Sequence, residues 1–208
     1  MRRRQHVNPL GLAFETKHDP APELIAKHIE IEVGCADAQF LFERAKLVPS
    51  SQYVGIEIRE DLVRGVNRRA QSLNAPVSAI FANANNHLPS LLPANSVNVA
   101  HLNFPDPWFK ARHRKRRMID WRLVEGLGQV LREDGEVFVQ TDVWSVALDA
   151  LAVFEVREDL FENLAGPWGF WHQGNPFGAR SWREQSCEER GDKIWRIRYR
   201  RKSALHHG

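Results

Sequence analysis

The stretch Val97-Asn98-Val99-Ala100-His101-Leu102-Asn103-Phe104-Pro105-Asp106-Pro107-Trp108 decides how this chain is read. A mainly apolar run ends abruptly at a Pro-Asp-Pro peg, the pattern of a buried strand closed by proline. Phe104 and Asp106 each precede a proline, which pushes both toward extended backbone. Each proline also fixes its own φ. Asp106 is thus expected on a stiff strand end, with the flat indole of Trp108 two residues on. The nine residues after Trp108 carry six Lys or Arg side chains and one His: Lys110, Arg112, His113, Arg114, Lys115, Arg116 and Arg117. A carboxylate beside an aromatic plane suits a heterocyclic base, and a cationic run suits the phosphates attached to it.

On either side of this stretch, strand-like runs alternate with amphipathic helical ones. Strands are predicted over His28–Val33, Gln52–Ile58, Val77–Ala82, Val97–Asn103 and Glu136–Gln140, with two more in the tail at Phe161–Leu164 and Ile194–Arg200. Helices are predicted over Ala38–Lys46, Asp61–Leu73, Ile119–Leu131 and Val143–Arg157, and a turn at Glu133-Asp134-Gly135. This alternation predicts an α/β fold, a mostly parallel seven-stranded sheet with helices on both faces. Residues 1–22 read as a flexible basic arm and 23–208 as a single domain. In such folds ligands bind beyond the carboxyl ends of the strands.

Composition sets the outer limits. Hydrophobic residues are 43% of the 208 and charged residues 26%, as in an ordinary globular protein. No apolar run approaches the roughly 18 residues of a membrane span. The basic start, Met1 to His6, is followed by no apolar core of a secretory signal. Cys35 and Cys187 form no metal-ligand or disulfide pattern. The expectation is a cytoplasmic protein with reduced thiols, no membrane and no metal. The formal charge is only +3, but basic residues gather at Arg2–Arg4, Lys110–Arg117 and Arg196–Lys202. Three such runs favour an anionic partner.

The predicted strand ends carry a row of polar groups: Glu32 before Gly34, then Glu57, Asn83, Asn103 with Asp106, and Thr141-Asp142. One acid at a strand end is usually a helix cap, but a whole row along one sheet edge points to a site. Glu57 follows Gly34 by 23 residues, the spacing at which an acid after the second strand reaches ribose hydroxyls. The first loop, Gly34-Cys35-Ala36-Asp37-Ala38, lacks the glycines that cradle a pyrophosphate. An acidic loop suits S-adenosyl-L-methionine, with its sulfonium, ammonium and ribose, better than NAD.

These residues resemble the bacterial tRNA (guanine-N7-)-methyltransferases, over roughly Ile29 to Tyr199. The strongest match is Phe104-Pro105-Asp106-Pro107-Trp108 with Lys110, Arg112-His113 and Lys115-Arg116-Arg117. Glu32-Val33-Gly34, Gly55-Ile56-Glu57, Leu131 through Gly135, Thr141-Asp142 and Glu188-Glu189-Arg190-Gly191 support it. The resemblance implies a Rossmann-like class I methyltransferase, monomeric or homodimeric, that forms N7-methylguanosine in the variable loop of tRNA. It implies S-adenosyl-L-methionine contacts at Glu32, Gly34, Glu57, Asn83 and Asp106. It implies substrate contacts at Lys110, Thr141, Asp142 and Gln185, Ser186, Cys187 and Glu188. The chain departs from the family pattern at Ala36 and Ala38, where glycine is usual, at Asn83, where Asp is usual, and at Gln185, where Thr is usual.

Guanine N7 offers a lone pair and no proton, so the reaction needs alignment rather than a general base. Asp142 is expected to anchor the guanine donors, and Asp106 to orient the reacting pair. Arg112, Arg114, Lys115, Arg116 and Arg117, with Lys110, are expected to grip phosphate. Trp108 reads as a stacking platform or as a lid on the sheet. His113 reads as a loop or phosphate contact, and Cys187 as a packing residue. Trp168, Trp171, Trp182 and Trp195 read mostly as packing. A methyltransferase acting on another RNA and a non-catalytic tRNA-binding relative are the competing readings.

Overall fold

Alternating runs of Val, Ile and Leu become strands here because helices cover both of their faces. The computed structural model describes residues 7–11 and 16–203, without the side chains of Ala111 and Arg114. The Arg2–Arg4 cluster, part of the expected 1–22 arm and the Arg114 side chain lie outside the described residues. The strands are β1 (Ile29–Val33), β2 (Gln52–Glu57), β3 (Val77–Phe81), β4 (Val97–Asn103), β5 (Leu131–Thr141), β6 (Phe161–Asn163) and β7 (Trp195–Arg201). The helices are α1 (Gln39–Leu47), α2 (Glu60–Leu73), α3 (Ala84–Leu91), α4 (Trp121–Val130), α5 (Trp144–Glu155) and α6 (Trp182–Arg190), with a 3-10 helix over Ala111–Arg116. The sheet order is β3-β2-β1-β4-β5-β7-β6. Pairing is parallel from β3 to β5, and β7 runs antiparallel to both β5 and β6. The expected mostly parallel seven-stranded sheet is therefore formed, with one reversed strand.

The two faces of the sheet are built differently. One is wholly apolar: Ile29, Ile31, Val33, Ala100, Leu102, Val137, Val139 and Ile197 pack against Leu88, Leu123, Leu127, Leu151 and Phe154 of α3, α4 and α5. The opposite face is covered over β2 and β3 by Phe40, Leu41, Val63 and Val66 of α1 and α2. Under the middle of that face lies a buried polar cluster. Glu30 accepts from Arg44 of α1 at both oxygens, at 3.0 and 2.5 Å, and from His101 Nε2 at 2.8 Å. Arg44 also donates to the carbonyl of Phe177 at 2.7 Å, which fastens the 170s loop under the sheet. Burial pushes the Glu30 carboxyl up, but His101 and Arg44 outweigh it and hold it down at about 2. Burial keeps His101 below its ordinary range, hence neutral, with Nε2–H assigned by its acid partner.

Sequence periodicity finds the long elements and misses the short ones. α3 is not expected, because its pattern is short and holds Pro89. Nor is α6, although Ser181 caps it by accepting from the N–H of Glu184 at 3.2 Å, a capping box legible as S-x-x-E. β5 begins at Leu131, and the turn at Asp134 (φ 61°) is an irregularity inside it, where the β4–β5 register shifts between Val97 and Val99. Phe104 is a correction. Its φ is 48°, left-handed rather than extended. Its N–H completes the β4–β5 ladder by donating to Gln140 O at 2.7 Å, and its ring is buried. These two anchors offset a backbone cost of about 1–3 kcal/mol. Among the described residues, no helix is long and apolar enough to cross a membrane, and no group of three or more His, Cys, Asp or Glu could hold a metal ion.

The buried triad generates a stability prediction. Removing Arg44 strands the Glu30 charge in the interior, a change that costs about 3–5 kcal/mol. Glu30 is depressed to about 2 from 4.5, so its contribution is present above pH 4.5 and is lost as pH falls toward 2. Urea unfolding of Arg44→Met should show the large loss at pH 7 and a clearly smaller one near pH 3. Equal losses at both pH values would contradict this account of the triad.

Candidate active site

The loop after β1 is shaped by backbone close approach. Gly34 (φ 75°) donates to Ile56 O at 2.7 Å, which turns the chain back over β2. Gly55 must be glycine, because a Cβ there would lie 2.4 Å from Cys35 Sγ. Ala36 (φ 53°) and Ala38 (φ 54°) hold the left-handed conformation that glycine adopts more cheaply. The loop thus keeps a glycine-like shape with alanines, held by Ala38 N–H to Cys35 O at 2.7 Å and Ala36 N–H to Glu57 Oε2 at 2.9 Å. Glu57 also receives Arg59 on both oxygens, at 2.9 and 2.8 Å. The Asp106 charge helps to raise the pKa of Arg59 further. Arg59 therefore lies electrostatically between the second strand end and the Pro-Asp-Pro peg.

A row of buried polar side chains crosses the sheet just below the strand ends. Glu32 Oε1 accepts from Asn103 Nδ2 at 2.8 Å. Asn103 Oδ1 accepts from Gln140 Nε2 at 2.9 Å, and the same amide donates to Glu184 Oε2 of α6 at 2.9 Å. Arg196 of β7 closes the row, donating to Gln140 Oε1 at 3.2 Å and Glu184 Oε1 at 3.0 Å. Strand register makes this possible, since Asn103, Gln140 and Arg196 are successive partners across β4, β5 and β7. Glu32 is the end of the row that is left incomplete. It is only 4% exposed, and its Oε2 is buried with no hydrogen-bond partner. Burial raises its carboxyl to about 8, opposed by the Asn103 bond and reinforced by the charges of Asp37 and Glu57. This contribution to stability is lost as pH rises through about 8, where Glu32 must ionise alone. A buried acceptor of this kind calls for a cationic N–H donor.

The remaining predicted residues gather around this row. Asn83, buried, caps α3 through the N–H of Asn85 at 3.2 Å and donates to Pro9 O at 3.2 Å, so part of the amino-terminal arm passes beside it. Asp106 is half-buried on the peg. Trp108 is half-buried beside it, edge-on to His113 at 5.8 Å, with the Arg116 guanidinium 5.2 Å from its ring centre. Lys110, Arg112 and Lys115 are exposed. Arg117 is placed differently from its basic neighbours. Its side chain is only 8% exposed; it donates to Pro107 O at 2.8 Å, Ser145 O at 3.0 Å and Ser145 Oγ at 2.9 Å, and pairs with Asp149. It clamps the basic loop to α5. Met118 then packs its sulfur over Gly34, 3.4 Å from where a Cβ would be. The basic segment is thereby tied to both halves of the site.

Thr141 is buried and accepts from the N–H of Val143 at 3.2 Å, which sets the turn that presents Asp142. Asp142 is paired with Arg183 of α6. Within the segment Gln185–Glu188, Cys187 is fully buried, which pushes its thiol up. Ser186 accepts from Arg190, Glu188 accepts from Arg180 at 2.7 Å, and Gln185 lies beside Arg180 O at 3.5 Å. Sequence reasoning assigned no role to Arg59, Gln140, Glu184 or Arg183, and read Arg196 only as part of a basic run facing an anionic partner, whereas its guanidinium pairs with Glu184. Only Glu184 had a legible signal, the capping box.

One edge of the sheet therefore holds an unsatisfied buried carboxylate, a second acid held by Arg59, a braced aspartate, and a basic loop. A family model described as "Putative methyltransferase" matches residues 26–197. The chain is 36% identical over 207 residues to a tRNA (guanine-N(7)-)-methyltransferase of Synechococcus sp. (strain WH7803), covering 95% of this chain and 87% of that protein. It is 33% identical over 212 residues to the protein of the same name from Nostoc sp. (strain PCC 7120), covering 98% and 95%. Among solved structures, the 16S rRNA methyltransferase KamB superposes with a TM-score of 0.60 at 12% identity, over 86% of this chain and 89% of that one. TrmN from Thermus thermophilus superposes at 0.57 and 15% identity, over 86% and 45%. At such identities the structural likeness speaks for the fold, which is that of the class I methyltransferases. Sequence identity over nearly the whole length carries the closer conclusion: the chain belongs to the bacterial tRNA (guanine-N7-)-methyltransferase family.

Proposed function

We propose that this protein is a cytoplasmic enzyme that forms N7-methylguanosine in the variable loop of tRNA, with S-adenosyl-L-methionine as donor. The observation that carries the reading is Glu32, whose buried oxygen lacks a partner beside a loop and an acid spaced for a nucleoside. The donor's ammonium fits Glu32, and its ribose hydroxyls fit Glu57, with Gly34 and Asn83 flanking them. When bound, it supplies an electrophilic methyl group on sulfur. Guanine N7, which carries a lone pair and no proton, would accept that methyl group with no general base required of the protein.

The protein's contribution is alignment and charge. Asp106, braced by two prolines and the Phe104 turn, faces the donor and steadies the base as it becomes cationic. Asp142 accepts from the guanine Watson–Crick donors. A carboxylate has about four acceptor sites, so the pairing with Arg183 leaves room for them. Lys110, Arg112, Arg114, Lys115 and Arg116 grip phosphate, and Arg117 holds the loop that presents them. Gln185, Ser186 and Glu188 on α6 flank the guanine, with buried Cys187 setting the helix against the sheet. The left-handed Ala36 and Ala38 favour an enzyme over a non-catalytic relative, because the loop retains its shape where its glycines are gone.

Methyl transfer from labelled donor to bulk tRNA, followed by mapping of the product, tests the reading. Asp106→Ala and Asp142→Ala should each lower kcat/KM by about 100-fold or more, the scale of losing one electrostatic anchor. Full activity in both variants, or a methyl group elsewhere than guanine N7, would refute it. The basic loop gives a second expectation. Charge reversal at Lys115 and Arg116 should weaken tRNA binding and lower the slope of log K against log salt by roughly 0.7–0.9 for each phosphate no longer neutralised. An unchanged slope would remove these side chains from the interface.

A further inference from the structure

Three aromatic rings cluster beside the turn that presents Asp142. The centroids of Trp144 and Trp195 are 4.3 Å apart, those of Phe170 and Trp195 5.1 Å, and those of Trp144 and Phe170 5.4 Å. The Lys193 ammonium lies 5.1 Å from the Trp195 centroid. Trp144 is 46% exposed and Trp195 is half-buried, while Phe170, also half-buried, packs against the core.

Topology places the cluster at the site. β7 runs antiparallel, so its first residue, Trp195, pairs with Thr141 at the end of β5. Trp144 begins α5, two residues beyond Asp142. α5 is also the helix that Arg117 clamps, through Ser145 and Asp149. The basic loop, through Arg117, and the aromatic cluster, through Trp144, are thus both attached to α5, with Asp142 just ahead of that helix. Aromatic faces bordered by an ammonium, on the same helical support as a cationic loop, are the pattern of a single-stranded nucleic acid platform.

We infer that Trp144, Phe170 and Trp195, with Lys193, form a stacking platform for an unpaired tRNA base next to the methylated guanine. This deepens the function proposed above and rests on it for the identity of the RNA. A base leaving a loop stack to present guanine N7 exposes its neighbour, and a π face offers that neighbour a place to stack. Stacking is sequence-tolerant, so the platform would serve tRNAs that differ at this position.

Binding of tRNA transcripts to the full chain tests this, with methyl transfer measured in parallel. Trp144→Ala should weaken tRNA binding about tenfold, as expected for loss of one stacking face. The loss should appear in KM for tRNA and not in affinity for S-adenosyl-L-methionine. The salt slope should stay at the wild-type value, because every phosphate-gripping side chain is still in place. Trp144→Phe should restore most of the affinity. Phe170→Leu keeps apolar volume without the ring and should weaken binding several-fold, which covers the case in which Trp144→Ala fails to fold. Wild-type tRNA affinity in both folded Trp144→Ala and Phe170→Leu would overturn the proposal. So would a change in oligomeric mass with unchanged tRNA binding, which would mark a face between copies of this chain. If the wild type transfers no methyl group while Trp144→Ala still loses tRNA binding, the platform stands and the proposed reaction falls.

Discussion

The Glu32 carboxylate is held on one side and left open on the other, and the site is built around that asymmetry. Asn103 satisfies one oxygen, and behind Asn103 stand Gln140, Glu184 and Arg196, each held by the next. Buried polar groups are stable only when such a chain is complete, and an incomplete one costs stability in a low-dielectric interior. Here the row is complete everywhere except at Glu32 Oε2. The free protein reduces the cost by favouring the protonated acid, and a cationic ligand would remove it. Strain of this kind is retained where it serves binding.

The same row ties α6 to the strand end that carries Glu32. Glu184 lies on α6, the helix whose Arg183 holds Asp142 and which carries the Gln185–Glu188 segment. Phe104 hydrogen-bonds to the Gln140 backbone while Gln140's side chain links Asn103 to Glu184. A shift of β5 relative to β4 would therefore move the peg, Asp142 and α6 together. On the other flank, Arg117 and Met118 fasten the basic loop to α5 and to the loop after β1. The proposed donor and acceptor sites would thereby share rigid supports, as alignment-based catalysis requires.

Much of this is legible in the sequence. Long apolar alternation marks the five parallel strands, and the Phe-Pro-Asp-Pro-Trp signature marks the tip on which Asp106 stands. The strand-end row is visible as residue types, but not its connectivity. Gln140 and Arg196 lie 56 residues apart, and only the register of the reversed strand makes them partners. Arg117 shows the limit of composition. It belongs to a cationic run by sequence, yet a buried position beside Asp149 and Ser145 gives it a different task from its neighbours. Phe104 shows how tertiary contacts override a local rule, since burial and one ladder hydrogen bond outweigh the bias before proline. Residue type alone favours packing for the tryptophans, but Trp168 and Trp182 are more than half exposed, and Trp144 and Trp195 lie beside the turn that presents Asp142.

The state of Glu32 is the most direct test of this account. Carbon-detected NMR of selectively labelled glutamate, assigned with Glu32→Gln, follows that carboxyl across pH with and without S-adenosyl-L-methionine. Without ligand it should titrate near 8. With ligand bound it should be ionised at pH 7, and binding at that pH should release close to one proton. Titration near the ordinary value of 4.5 in the free protein, unchanged by the ligand, would contradict the claim that this buried acid is built to receive the donor's cationic end.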